Sequence, residues 1–318
     1  MITMDTIGAL KAETGTIILA HYYQTGDVQA IADFLGDSLE LARKAMTIED
    51  ASYVIFATVD FMAEVAKILN PAKTILMADT TASCPMANQL RAGTVQDYKQ
   101  VYPGLPAVLY INTLAEAKAE CDTICTSSNA IPVTKAIAAE WGVDRVLMGP
   151  DRHLARHVQV MTGLDIIAMP EKGCCVVHDQ FGAEDVNFQR DQHPDALLIV
   201  HPECRPEVQD AADFIGSTKQ MIEYMERDLD REYIVGTERG LIDHVLALHP
   251  SAMLYPLAPV PTGGICKNMK KTTVAKIQAL LEIIKDGGDL APYEIMVDPS
   301  VAEGAKRSID AMFTYMQQ

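Results

Sequence analysis

Thr262-Gly263-Gly264-Ile265-Cys266-Lys267-Asn268-Met269-Lys270-Lys271-Thr272-Thr273 carries a cysteine with two counterparts at equal distances behind it: Cys175 lies 91 residues upstream and Cys84 a further 91. A fixed period of that length is the sequence mark of a repeated structural unit. Each cysteine follows an apolar run that reads as a strand, at residues 74–78, 165–169 and, with a longer connection, 252–255. The three loops look equivalent, and they could converge on one place.

The pattern around those runs repeats. In the first unit, strands at residues 16–20, 53–57 and 74–78 alternate with helical periodicity over 28–45 and 60–69. In the second, strands at 107–111, 145–148 and 165–169 alternate with helices at 130–141 and 154–161. In the third, strands at 196–200, 233–235 and 252–255 alternate with helices at 219–227 and 240–248. Strands alternating with amphipathic helices imply parallel βαβ units, hence an α/β fold of three parallel-sheet domains. The expected boundaries are residues 1–93, 94–184 and 185–318, the last with a helical extension formed by an amphipathic stretch from 272 to a stop at Gly287-Gly288 and by a closing helix over 301–316.

A chain of 318 residues suits two or three domains of ordinary size. Its net charge of −17 argues against a nucleic-acid or anionic-membrane surface, so a positive field for an anionic substrate must be local. The start Met1-Ile2-Thr3-Met4-Asp5 lacks the basic, then apolar pattern of a secretory signal, and no run is long enough to span a bilayer. A cytoplasmic location is expected. Seven cysteines in such a chain read as free thiols, metal ligands or catalytic groups rather than disulfides.

Shifting the chain by 91 aligns the ends of the first strands, superposing Leu19, Tyr110 and His201, and also His21, Asn112 and Glu203. Ligands of open parallel sheets bind at that carboxyl edge. A second set of polar residues opens the following helices, at Gly36-Asp37-Ser38, Thr126-Ser127-Ser128-Asn129 and Gly216-Ser217-Thr218. Helix starts offer unpaired N–H groups to carboxylates and phosphates, while Ser, Thr and Asp there also serve as plain N-caps. Ser38, Ser127, Ser217 and Thr218 are the candidates for holding anionic groups.

Three converging thiolates suit zinc, copper(I) or an iron–sulfur cluster, and buried cysteines are also common as plain core residues. A structural zinc site more often uses a local Cys-x-x-Cys pair, absent here. The period selects Cys175 over its neighbour Cys174 and leaves Cys121, Cys125 and Cys204 outside the set. Colour and iron content separate a cluster enzyme from a zinc-stabilised binding protein; a substrate assay separates it from another cluster-dependent hydro-lyase.

The stretches Leu19-Ala20-His21-Tyr22-Tyr23-Gln24, Gly36-Asp37-Ser38-Leu39-Glu40-Leu41-Ala42, Phe61-Met62-Ala63-Glu64, Tyr110-Ile111-Asn112-Thr113, Cys125-Thr126-Ser127-Ser128-Asn129-Ala130, Gly173-Cys174-Cys175-Val176-Val177-His178, His201-Pro202-Glu203-Cys204 and Cys266-Lys267-Asn268-Met269-Lys270 resemble the quinolinate synthase family of NAD biosynthesis. The resemblance implies three α/β domains in pseudo-threefold arrangement around an oxygen-sensitive [4Fe–4S] cluster. It implies condensation of iminoaspartate with dihydroxyacetone phosphate to quinolinate, phosphate and water, with a functional link to an aspartate-oxidising enzyme that supplies the imine. By motif position Cys84, Cys175 and Cys266 fall on the cluster ligands, and His21, Tyr23, Tyr110, Asn112, His201 and Glu203 on the active-site lining.

Imidazoles titrating near neutrality suit His21 and His201 to proton transfer, with Glu203 as base and Tyr23 as acid. His178, three residues after Cys175, is placed to support that ligand. Lys267, Lys270 and Lys271 bring local positive charge and stay outside the catalytic set. Some family members carry a Cys-x-x-Cys-x-x-Cys run near the third ligand; residues 259–265 here contain no cysteine, so no disulfide switch is expected there.

Overall fold

The computed structural model describes residues 4–49, 51–258 and 263–317, so residues 259–262 of the cysteine-free run lie outside it. The first unit comprises α1 (Met4–Thr14), β1 (Thr16–His21), α2 (Gly26–Ile31), β2 (Phe34–Gly36), α3 (Ser38–Met46), β3 (Tyr53–Ala57), α4 (Asp60–Leu69) and β4 (Thr74–Leu76). The second repeats the order with α5 (Ala92–Val101), β5 (Ala107–Tyr110), α6 (Ala115–Ala119), β6 (Thr123–Cys125), α7 (Ala130–Trp141), β7 (Arg145–Gly149), α8 (Arg152–Thr162) and β8 (Asp165–Ala168). The third has α9 (Ala183–Gln192), β9 (Leu197–Val200), α10 (Pro206–Ala211), β10 (Phe214–Ile215), α11 (Thr218–Glu226), β11 (Glu232–Gly236), α12 (Gly240–Leu248) and β12 (Met253–Pro256), followed by α13 (Val274–Lys285) and α14 (Pro299–Tyr315).

Three separate four-stranded sheets result, ordered β2-β1-β3-β4, β6-β5-β7-β8 and β10-β9-β11-β12, with every strand pair parallel. The second strand of each sheet corrects the sequence reading. Residues 28–45 are two helices flanking a three-residue strand, not one helix, and short elements in the same place were missed in the other two units. The break is chemical. Asp33, Asp122 and Asp213 each donate their backbone N–H to a first-strand carbonyl, of Ile18, Ala107 and Leu198, while their carboxylates accept from Ile18 N at 2.7 Å, Ala107 N at 2.8 Å and Leu198 N at 2.8 Å. A side chain that takes the strand's N–H pins the turn and ends the helix before it.

Those ties also fix the frame between units. Ile18, Ala107 and Leu198 are counterparts, so at the first strands the step is 89 residues and then 91. His21 therefore corresponds to Tyr110 and His201, and Tyr23 to Asn112 and Glu203. The 91-residue shift had paired Leu19 with Tyr110 and His21 with Asn112, a slip of two; Leu19 is a fully buried core residue. Insertions between the strands compensate, because Thr16 pairs with Tyr53 and Ala107 with Leu147 across different loop lengths, and the equal spacing returns at the cysteines.

Each cysteine is followed three residues later by a short 3-10 turn and eight residues later by a helix, α5, α9 or α13. The last of these follows the third unit in sequence and packs on the first: Ile277, Leu280, Leu281 and Ile284 of α13 pack with Ile7, Leu10 and Ile18. Burying each such side chain is worth roughly 1.5–3 kcal/mol. Helix α14 turns Ala305, Ile309 and Met312 into the largest core cluster, shared by the first and second units, and crosses α6 where Gly304 lies against Ala119. A Cβ at Gly304 would stand 2.8 Å from that of Ala119, so the close crossing needs the glycine. Among the described residues no helix is long and apolar enough to cross a membrane.

Candidate active site

Strand ends from all three sheets and the three cysteine loops meet at one cavity, lined by Cys84, Cys175, Cys266, His21, Tyr23, Tyr110, Asn112, His201 and Glu203, with Ser38, Ser127 and Thr218 at its helix starts. Among the described residues no other cysteine lines it. All seven cysteines are free thiols. Cys125 sits buried on β6 and Cys204 is buried beside the Gly236 carbonyl, 3.2 Å away. Cys174 does not line the cavity, and its backbone exchanges bonds with the Gln89 side chain.

The Cys175 loop is seated by close backbone approach. A Cβ on Gly173 would fall 2.0 Å from the Pro150 carbonyl, so only glycine lets the loop cross the end of β7. Burial pushes the Cys84 thiol up to about 12 and raises Cys175 and Cys266 as well. Buried thiols of this kind give up their protons to a metal rather than to water.

A hydrogen-bonded chain crosses the cavity wall. His178 Nδ1 stands 2.7 Å from Glu203 Oε2 and 3.2 Å from Cys175 Sγ. Its Nε2 lies 2.9 Å from Thr237 Oγ1, which in turn is 2.8 Å from the Tyr23 hydroxyl, and Thr218 Oγ1 donates to the same hydroxyl at 3.0 Å. The His178 and His201 rings stack at 4.7 Å. Tyr110 meets Glu203 and Ser127 through its hydroxyl.

Charge in this cluster is set by burial and neighbours. Burial alone would raise Glu203, but the two imidazoles beside it and the hydrogen bonds from His178 and Tyr110 hold its carboxyl below the usual range, at about 2. Burial lowers His21 and His201 to about 3, with Lys270 adding to the effect at His21, so both rings are neutral at physiological pH. Tyr23 and Tyr110 are pushed well above the ordinary phenol range, first by burial and then by Glu203, and remain donors.

The helix-start residues divide. Ser217 caps α11, accepting from Gln220 N at 3.3 Å, and does not line the cavity, whereas Thr218 does. Asp37 caps α3 through Leu39 N and Glu40 N, leaving Ser38 on the cavity. Asn129 spends its carbonyl on Thr126 N, and Ser127 faces inward. Asn112 Oδ1 is buried without a hydrogen-bond partner, an orphaned acceptor of the kind a bound ligand satisfies.

The family model described as quinolinate synthetase A protein matches residues 5–314, nearly the whole chain. The chain belongs to this family. A quinolinate synthase of Thermotoga maritima is 42% identical over 313 residues, covering 98% of this chain and 99% of the relative. One of Thermococcus onnurineus is 45% identical over 307 residues, covering 96% of each, and one of Pyrococcus abyssi is 44% identical over 309 residues, covering 97% and 98%. As a member of the quinolinate synthase family the chain is an enzyme.

Metal-binding capacity is also present. Cys175, His178 and Glu203 bring donor atoms within 4.8 Å of one another, a set that could hold one ion. Cys84 and Cys266 stand outside that compact group but on the same cavity. Ligands to separate irons of a cluster need not come as close as ligands to one ion, so the wider trio suits a cluster and the compact group reads equally as the hydrogen-bonded chain just described.

Glu238 on the cavity, and Thr237 and Asp151 behind its lining at His178 and Cys175, were not singled out from sequence. Thr237, Glu238 and Asp151 look like ordinary residues at a strand-to-helix turn, where an acid or hydroxyl needs no role beyond holding the helix start. Lys270, left outside the catalytic set, donates to the Tyr23 carbonyl and lies 3.1 Å from Glu238, joining the first unit to the Cys266 loop.

Proposed function

We propose that this enzyme condenses iminoaspartate with dihydroxyacetone phosphate to give quinolinate, phosphate and water. The observation that carries it is that the three periodic cysteines, one after each sheet, line the same cavity as the six polar residues of the strand ends. We assign Cys84, Cys175 and Cys266 as ligands of a [4Fe–4S] cluster, around which residues 1–93, 94–184 and 185–318 stand as three domains in pseudo-threefold arrangement. The donor set fits, being three soft sulfurs with no fourth cysteine on the cavity among the described residues, so a four-iron cluster held by them would keep one iron without a cysteine ligand. When bound, that open iron supplies Lewis acidity toward hydroxyl, carboxylate and nitrogen groups of a substrate.

The chain's own residues divide the remaining work. Glu203, held ionised, accepts a proton from the reacting molecule, and His178 at 2.7 Å steadies the carboxylate. Tyr23 keeps its proton and donates it, its hydroxyl held by Thr218 and Thr237. Neutral His21 and His201 serve as hydrogen-bonding groups and proton acceptors rather than acids, and Tyr110 and Asn112 orient the ring being formed. Ser38, Ser127 and Thr218 take the carboxylate and phosphate groups with hydroxyls at helix starts, where the partial positive charge helps, while Ser217 supports them by capping α11. The imine substrate hydrolyses in water, so an aspartate-oxidising enzyme must supply it, and we place both in the cytoplasm.

The test is anaerobic reconstitution followed by iron and sulfide counting and an assay for quinolinate from the two substrates. Replacing Cys84, Cys175 or Cys266 by Ala should abolish cluster binding, and replacing Cys174, Cys121, Cys125 or Cys204 should not. Full loss in Cys174→Ala with retention in Cys175→Ala would reverse the ligand assignment; a loaded protein that makes no quinolinate would remove the reaction.

A further inference from the structure

The central cavity is small and walled in, so a substrate has to pass between units to reach it. Its volume is about 70 Å³, and His21, Tyr110, His201, Glu203 and Thr218 on its lining are all buried. Three units meet in three seams, each of which offers a way in. They are not closed alike.

Between the first and second units the seam is hydrophobic core. Ile111 meets Leu41, Phe56, Met62 and Val65 there, around a space of only about 10 Å³. Between the first and third units polar contacts tie the seam. Lys219 Nζ lies 2.6 Å from Glu40 Oε1, Ser217 Oγ donates to Asp37 Oδ2 at 3.5 Å, and Gln29 donates to the Gly240 carbonyl at 3.1 Å while its own side-chain oxygen meets His244 Nδ1 at 3.1 Å. Entry by either route would unmake a packed core or a set of paired polar groups.

The seam between the second and third units holds a cavity of its own, of about 380 Å³, lined by Ser127, Ile131 and Met161 on one side and Pro202, Ala212 and Gly216 on the other. Met161 is 53% exposed, so this cavity reaches the surface. Its wall toward the centre is thin. Ser127 lines both cavities, Pro202 stands in sequence between His201 and Glu203, and Gly216 stands two residues before Thr218, and these three neighbours line the centre. On the inner side Ser127 meets the Tyr110 hydroxyl, a contact that breaks by rotation of one side chain. The chain's charge of −17 repels anions at a distance, whereas at this seam Arg156 pairs with Asp210 at 2.8 Å and Arg205 with Asp179 at 3.6 Å, so an approaching anion meets balanced charge. A cavity of about 600 Å³ beside Gly15 and Thr16 lies at the amino end of β1 and shares no described lining residue with the centre.

We propose that the cavity between the second and third units is the entrance for the small anionic substrates, a phosphorylated triose and a dicarboxylate imine, and the exit for the product; this rests on the function proposed above. Ser127 then has two faces, one on the reacting molecule and one on the molecule arriving or leaving. A constriction on the path to a site slows entry and exit by the same factor and leaves affinity as it was, because affinity is the ratio of the two rates. Damage to the site itself changes that ratio.

The test compares anaerobically reconstituted parental protein with Met161→Trp and Ala212→Trp, which narrow the seam cavity from its two sides, and with Ala12→Trp, which fills the unconnected cavity by β1. Iron and sulfide are counted first. Labelled quinolinate is the probe: equilibrium dialysis gives Kd, rapid filtration the association rate, and a chase with unlabelled quinolinate the dissociation rate. In the two seam variants both rates should fall together, by roughly tenfold, at parental Kd, and Ala12→Trp should keep the parental rates. If a tryptophan variant does not take up iron and sulfide, Met161→Ala and Ile131→Ala, which widen the cavity, are read instead for a rise in both rates. Parental rates in the loaded seam variants overturn the proposal, and so does a changed Kd at an unchanged association rate. Loaded parental protein that binds no quinolinate would instead overturn the function proposed above.

Discussion

Glu203 is the residue on which the proposed proton chemistry turns. It is buried, meets His178, His201 and Tyr110, and is held ionised by them, so it is a carboxylate kept ready where water is scarce. Glu203→Gln keeps the shape and loses the basicity; the quinolinate-forming rate per cluster should fall by roughly 10²–10⁴, with iron and sulfide unchanged. Near-parental turnover in a fully loaded Glu203→Gln enzyme would leave the residue a structural partner of His178. Residues of this kind were legible because a His, Tyr, Asn or Glu at the end of an apolar strand run has no place in a core. Thr237, Asp60, Asp151 and Glu238 were not, because an acid or hydroxyl before a helix already has a sufficient local role as a cap.

The short helices α2, α6 and α10 hold the strand-end loops in place. Gln29 Nε2 donates to the carbonyls of Tyr22, Gln24 and Gly240, Gln209 Nε2 to those of Pro202, Cys204 and His153, and Lys118 Nζ to that of Thr113. Gly240 opens α12 and His153 lies in the first turn of α8, so the two glutamines tie a catalytic loop to a neighbouring sheet's helix. Lys118 is fully buried, its pKa lowered by burial to about 8, and rests over the Phe61 ring at 5.5 Å. Gln209→Leu fills similar space but leaves three buried carbonyls without their donor; the urea midpoint should drop by an amount equal to about 1–3 kcal/mol at unchanged m-value, and KM should rise as the His201-Glu203 loop loosens. An unchanged midpoint and KM would show the loop to be held by other contacts. These elements escaped the sequence reading for a reason of scale: a helix of five or six residues followed by a strand of two or three is shorter than the window over which periodicity is visible. The long helices α4 and α12 were legible to the residue, their apolar stripes running unbroken.

At the scale of the molecule, three sheets close on a polar centre, and the cost of that burial is sensitivity to acid. His21 and His201 sit neutral at the centre with pKa values lowered to about 3, against an ordinary 6.5 in the unfolded chain. Between those values the unfolded state binds a proton that the native state refuses, so stability falls as pH falls, by up to about 1.4 kcal/mol per pH unit for each histidine. Glu203 acts in the same direction lower down: its depressed pKa stabilises the fold above the ordinary 4.5, and that contribution is lost as pH falls toward about 2. Asp37, Glu64, Asp151 and Glu238 oppose this, because burial raises their carboxyls and acid relieves them. The cysteines drop out, being protonated thiols in both states throughout this range. The histidine contribution is isolated by difference. In cluster-free protein, urea unfolding from pH 7 to 5 should show a slope of stability against pH that becomes less positive in His201→Gln, and less positive again in the double variant with His21→Asn, while the four opposing carboxyls remain common to all three proteins. Equal slopes in the three would mean that the two imidazoles take up protons in the folded state as readily as in water, and that the centre of the molecule is open to solvent.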